Sequence, residues 1–211
     1  VCNAGYEIEG GDGYAICGTD GTFRLPTCRA MRCAPTQVAN SNFETRESIQ
    51  GTTGVSITVT CHEGYADETT GSRTVTATCG TNNVFSQPTC SANSCSSANV
   101  ANSDYETRPI SGTTGDRVQV TCNDGYAFES GDGVAICGTG GAFRLPTCRA
   151  KRCAPTQVSN SNFDRPLSIQ GNTGDSFPVT CHEGYTVDGS SRAGTATCGT
   201  NSIFSVPTCS A

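Results

Sequence analysis

The chain has 211 residues, of which fifteen are cysteine, one is methionine, one is lysine (Lys151) and none is tryptophan; this is the composition of an oxidising, extracellular setting, not of a cytosolic enzyme. A net charge of -6 excludes a nucleic-acid or anionic-membrane surface, because the only basic groups close in sequence are short knots at Arg29, Met31 and Arg32 and at Arg149, Lys151 and Arg152. No apolar run approaches the roughly 20 residues that span a bilayer, and no signal peptide opens the chain, so a mature secreted piece is expected.

The first stretch, Val1 to Cys28, carries Cys2, Cys17 and Cys28 and matches the second half of the unit that begins at Cys95. The chain is therefore expected to start inside a repeat, with a partner for Cys17 upstream of Val1. A reactive thiol is the other reading of an odd cysteine, but nothing near Cys17 supplies a base or a metal-ligand partner. Three complete units follow, at Cys33, Cys61, Cys79 and Cys90, at Cys95, Cys122, Cys137 and Cys148, and at Cys153, Cys181, Cys198 and Cys209. The last step is 11 residues in every unit, and four residues always separate one unit from the next. Such short connections predict an elongated, semi-rigid array.

A longer period overlies the first. RCAPTQVANSNF at Arg32 returns as RCAPTQVSNSNF at Arg152, and GTDGTFRLPTCRA at Gly18 returns as GTGGAFRLPTCRA at Gly138, so the larger repeat is a pair of units. With only 35% hydrophobic residues and 25 glycines, several small stapled cores are expected in place of one large one.

Within each unit, period-two alternation predicts strands: Ile57, Val59 and Cys61 share one face, and Val118, Val120 and Cys122 repeat the pattern. A small residue stands two positions before the third cysteine in every copy, at Ala15, Ala77, Ala135 and Ala196, where it would let a strand pass close to a disulfide. Turns are predicted at Gly51–Gly54 and Gly112–Gly115 and at the Asp-Gly pairs Asp12-Gly13 and Asp132-Gly133. Pro178 interrupts a strand and is tolerable only at a sheet edge or bulge. No stretch has a helical period. Spacing alone leaves three disulfide connectivities per unit.

Each complete unit runs Cys, then V-x-V-T-C-x-x-G-Y or a near variant, then A-x-C, then G-x-x-x-F-x-x-P-T-C or its shortened form. This pattern resembles the complement control protein module, also called sushi or short consensus repeat, over essentially the whole chain. The resemblance implies an all-β tandem array of small disulfide-stapled modules at 31–92, 93–150 and 151–211, after half a module at 1–30. It also implies first-to-third and second-to-fourth pairing: Cys33 with Cys79, Cys61 with Cys90, Cys95 with Cys137, Cys122 with Cys148, Cys153 with Cys198, and Cys181 with Cys209. In the opening fragment the same rule pairs Cys2 with Cys28 and leaves Cys17 over. The chain departs from the family at the tryptophan before the last cysteine, replaced by Phe23, Phe85, Phe143 and Phe204.

Candidate sites are sparse. Tyr6, Tyr65, Tyr126 and Tyr185 follow the second cysteine at a fixed place and read as packing residues. Phe43, Tyr105 and Phe163 read either as contacts between modules or as an exposed surface. His62 and His182 occupy one turn in two copies and are too far apart in the repeat to share a metal. Glu9 with Asp12, and Glu129 with Asp132, offer few oxygens for calcium and read as hairpin residues. No catalytic set appears, so neither an enzyme nor a cofactor is expected. With no N-x-S/T sequon, any sugar would be O-linked, at exposed threonines such as Thr52, Thr53, Thr113 and Thr114; these residues read equally as turn formers. The first functional expectation is an extracellular structural protein that self-associates into a fibre, filament or surface array. The alternative is an adhesion or recognition ectodomain that binds a protein or glycan through the loops that differ between copies, Ala66 to Ser72, Ala127 to Gly131 and Thr186 to Ser191.

Overall fold

The computed structural model describes residues 1–44 and 48–211. Among these, the regular structure consists of short strands, and no helix is long and apolar enough to cross a membrane. The chain divides into two compact units. The first holds Val1–Cys95 with Thr113–Gly115 and Gly138–Gly141; the second holds Ser96–Gly112, Asp116–Cys137 and Ala142–Ala211.

In the first unit, Ser56–Thr60 pairs antiparallel with Thr74–Thr78, placing Ile57 opposite Ala77 and Val59 opposite Val75. The expected alternation is present: Val59 and Cys61 are buried while Ser56 and Thr58 face solvent. Tyr65–Asp67 pairs with Cys90–Ala92, and near the start Tyr6–Ile8 pairs with Cys28–Ala30 and Ile16–Cys17 with Phe23–Arg24. One apolar cluster gathers Val38, Ile49, Val59, Ala77 and Phe85 around Cys33, Cys61, Cys79 and Cys90. Phe85 stands at the family's tryptophan position and is almost fully buried, so the smaller ring still fills the core.

The second unit has two three-stranded sheets. In one, Val134–Cys137 lies between Arg117–Gln119 and Phe143–Arg144; in the other, Ala193–Cys198 lies between Ser176–Thr180 and Phe204–Ser205. Pro178 sits on an edge strand of its sheet, where a missing N–H breaks no central ladder. Tyr126–Phe128 pairs with Cys148–Ala150, and Thr186–Val187 with Cys209–Ser210. Two apolar clusters form, one around Val100, Ile110, Val120 and Ala135, the other around Val158, Ile169, Val179, Ala196 and Phe204. Ala77, Ala135 and Ala196 are all completely buried, which explains the small residue at that place in each copy. Ala15, in the opening fragment, is exposed.

A corner that the apolar pattern did not announce recurs three times. Asn40, Asn102 and Asn160 adopt left-handed φ values of 57 to 59°, a conformation that asparagine tolerates better than most residues. The next residue, Ser41, Ser103 or Ser161, is buried. Its hydroxyl donates to the carbonyl of Val38, Val100 or Val158 at 2.7 to 2.8 Å and accepts from the N–H of Phe43, Tyr105 or Phe163 at 3.0 Å. These three aromatics therefore lie half-buried against the core of their own copy. Phe163 meets Phe177 edge-on at 6.4 Å, and Phe177 meets Phe204 at 6.0 Å.

Candidate functional site

Fourteen cysteines are in disulfides. Cys2 bonds Cys28, Cys33 bonds Cys79, Cys61 bonds Cys90, Cys122 bonds Cys148, Cys153 bonds Cys198 and Cys181 bonds Cys209, with Cα atoms 5.5 to 5.9 Å apart. Cys95 and Cys137 are also disulfide-bonded. Cys17 is free and exposed.

Among the described residues no cluster of three or more His, Cys, Asp or Glu side chains is placed to hold a metal. His62 Nδ1 lies 3.5 Å from Glu44 at an exposed turn. Asp12 and Asp132 each cap their own hairpin, accepting from the N–H two residues on at 3.2 Å. Glu129 is held by Arg149 at 2.7 Å, as Glu7 is by Arg29. Asp67 is the buried acid among the described residues: its carboxylate accepts from the hydroxyl and N–H of Thr70, both at 2.9 Å, and these bonds hold its carboxyl below the ordinary aspartate range.

The segments between consecutive cysteine sets are not loops. Cys28–Ala30 pairs with Tyr6–Ile8, then Met31 N–H donates to Gly5 O at 2.8 Å; two residues on, Cys33 N–H donates to Gly51 O at 3.0 Å. The backbone thus passes from the Cys28–Ala30 ladder to the isolated bridge of Arg32 with Thr52 across a single residue, Met31. Met31 is bound on both sides, since its own carbonyl accepts from Thr53 N–H at 2.9 Å. Asn93 repeats this between Gly64 and Thr114, and Lys151 between Gly125 and Thr173, each bond 2.8 Å long.

This arrangement corrects one expectation. Thr53 is only 9% exposed and its hydroxyl donates to Gly5 O at 2.8 Å, so it is not an exposed sugar acceptor. The Thr114 hydroxyl is likewise engaged, with Asn93 O at 3.3 Å. Thr52 and Thr113 are half-buried in antiparallel bridges to Arg32 and Ser94. Of the tyrosines after the second cysteine, Tyr6, Tyr65 and Tyr126 open strands and Tyr185 immediately precedes one; Tyr65 and Tyr185 pack on their cores, while Tyr6 is exposed.

The loops that differ between copies are the accessible part. Glu68, Thr69, Thr70 and Gly71 are exposed, as are Glu129, Ser130 and Gly131, and Asp188, Gly189, Ser190 and Ser191. Beside the second of these loops lies a cleft of about 300 Å³, lined by Asp132, Val134, Ile136, Arg144 and Leu145 among others. Arg144 and Leu145 are replaced by Ser86 and Gln87 in one of the other complete copies and by Ser205 and Val206 in the last. The cleft therefore combines a guanidinium, a carboxylate and an apolar floor that those two copies do not reproduce.

A family profile, Sushi repeat (SCR repeat), matches residues 96–148. The chain is 27% identical over 197 residues to the coagulation factor XIII B chain of Mus musculus, covering 90% of this chain and 29% of that protein. It is 29% identical to complement factor H of Mus musculus, covering 90% and 16%, and 26% identical to the complement control protein of human herpesvirus 8 type P, covering 74% and 30%. It thus spans less than a third of the length of these relatives. All-strand architecture, paired cysteines and these likenesses agree: residues 96–148 match the Sushi repeat, the chain as a whole is similar to proteins built of sushi, or complement control, repeats, and it is an extracellular or cell-surface protein.

Proposed function

We propose that the chain is a non-catalytic recognition protein, with modules at 31–92, 93–150 and 151–211 after the half module at 1–30, that binds a protein or glycan through exposed loops carried on a constant frame. The observation that carries this reading is the division of labour along each copy. Residues that build the frame recur with the same burial, as at Val38, Val100 and Val158, each 4% exposed. Residues at 66–72, 127–131 and 186–191 change from copy to copy and include the most accessible ones of their hairpins. The cleft at Arg144 and Asp132 adds a charged, partly apolar recess beside one such loop, of a size that takes a sugar or a peptide side chain. The relatives include a complement control protein, which favours recognition over chemistry.

The test is binding of the intact chain to arrays of glycans and extracellular proteins. It is compared with a chain whose three loops are replaced by glycine and serine and with Arg144→Ser, the residue two other copies carry. The reading expects the hits of the intact chain to be lost on loop replacement with all disulfides still formed; hits that survive all of these changes would refute it.

Assembly into a fibre or surface array is a second reading, favoured by the near-identity of residues 32–43 and 152–163. Matching environments do not strengthen it, because Val100, one module away, is as buried as Val158, two modules from Val38. Light scattering and electron microscopy of the native material decide it.

A further inference from the structure

Three glycines of the C-x-x-G-Y element, Gly5, Gly64 and Gly125, share a left-handed φ of 81 to 85° and are buried. A Cβ at Gly125 would lie 2.5 Å from Thr173 Cγ2 and 2.9 Å from Thr200 Cα. At Gly5 and Gly64 the same atoms of Thr53 and Thr81, and of Thr114 and Thr139, would be met at 2.6 to 3.0 Å. The threonine methyl thus occupies the place where any other residue would keep its own side chain. The hydroxyl of the same threonine closes the other side, donating to Gly5 O, Asn93 O or Lys151 O at 2.8 to 3.3 Å. Gly184, the fourth member, is exposed, with φ +84° and nothing within 4 Å of a Cβ, so the left-handed backbone is adopted without a threonine against it.

We propose that this glycine is a preformed socket and the second threonine of the G-[TN]-T-G turn its plug, a docking interface that specifies one module of this type as the neighbour of another. The proposal does not depend on the recognition reading. The hydrogen bonds that the plug threonine and the bridging residue make at the joint go to backbone on the socket side: glycine carbonyl, and the N–H and C=O of Met31, Asn93 or Lys151. The bridging side chain takes no part in these bonds, which explains why a methionine, an asparagine and a lysine serve equally. The joints are therefore interchangeable, and one module can follow another without a matched side-chain interface.

The experiment is amide hydrogen exchange on the full chain, read at Lys151 and Thr173, whose N–H groups are the two rungs of one joint. Gly125→Ala should speed both by about tenfold or more while leaving Val120 and Val179, inside the cores, unchanged. Gly184→Ala imposes the same left-handed strain at a glycine with no threonine against it and should leave Lys151 and Thr173 as in the parent chain. Thr173→Ala removes the plug from an intact socket and should reproduce Gly125→Ala, which keeps the test decisive if the alanine at 125 prevents folding. Asn172→Thr and Lys151→Met, each importing a residue of another joint, should change nothing. Equal exchange in Gly125→Ala or Thr173→Ala and the parent, an equal acceleration in Gly184→Ala, or acceleration by either imported residue would overturn the proposal.

Discussion

Ser161→Ala should be among the costliest single-atom deletions in the chain. Ser161 is 0% exposed; its hydroxyl donates to Val158 O at 2.8 Å and accepts from Phe163 N–H at 3.0 Å. A main-chain bond from Val158 N–H to Phe163 O, 2.9 Å long, closes the same corner. Alanine removes two hydrogen bonds, each worth about 1 kcal/mol net, and leaves an amide in a dry corner without its acceptor, for a total of about 2 to 4 kcal/mol. With about 4 to 8 °C per kcal/mol for a module-sized cooperative unit, the transition that reports this region should fall by roughly 10 °C or more. Scanning calorimetry of the intact chain, with tyrosine fluorescence as a second probe, measures the shift. Ser190→Ala, at an exposed loop position, is the control and should stay within about 0.5 kcal/mol. A fall of less than about 2 °C in Ser161→Ala would show that the corner is held by its backbone bond alone and refute the reasoning. Ser41→Ala and Ser103→Ala should behave alike, since the same three contacts recur.

Replacing Cys61 and Cys90 by alanine opens a bridge of sequence separation 29 and, in the chain-entropy model, should cost about 3.5 kcal/mol in a chemical denaturation curve; no loss of stability would contradict it. The longer bridge from Cys33 to Cys79, of separation 46, should cost slightly more, about 4 kcal/mol. Asp67 has a folded pKa depressed by Thr70, so its contribution is present above the unfolded aspartate value and is lost as pH falls through the folded one. Thermal melts between neutral and acid pH should show that acid limb shrink in Asp67→Asn, and an unchanged limb would remove Asp67 from its cause. Glu129→Gln breaks an exposed pair with Arg149 and should shift stability by less than about 1 kcal/mol, the shift shrinking further in high salt.

Much of the frame was legible because its signals are local. Alternation at Ile57, Val59 and Cys61 specifies a half-buried strand from five residues, and Pro178 announces an edge because a missing N–H has one physical consequence wherever it occurs. Phe43, Tyr105 and Phe163 were ambiguous, since an aromatic after Asn-Ser carries no mark of which surface it meets. Only the buried serine and the left-handed asparagine turn each ring onto its own core. Thr53 was misplaced for the same reason: a Gly-Thr-Thr-Gly turn read alone looks exposed, and what covers it comes from Gly5 and Met31.

By itself the sequence determined an oxidised, all-strand tandem of small disulfide-stapled repeats, because cysteine spacing and period-two patterning act over distances the chain displays directly; the sushi module entered as a resemblance of its motifs. What only the tertiary structure decided is the joint. Gly125 and Thr173 are 48 residues apart in sequence; they meet at the space of an absent Cβ and are bridged by the amide and carbonyl of Lys151. Backbone groups are the same at every residue, so their pairing leaves little trace in residue identity until the folded chain brings them together.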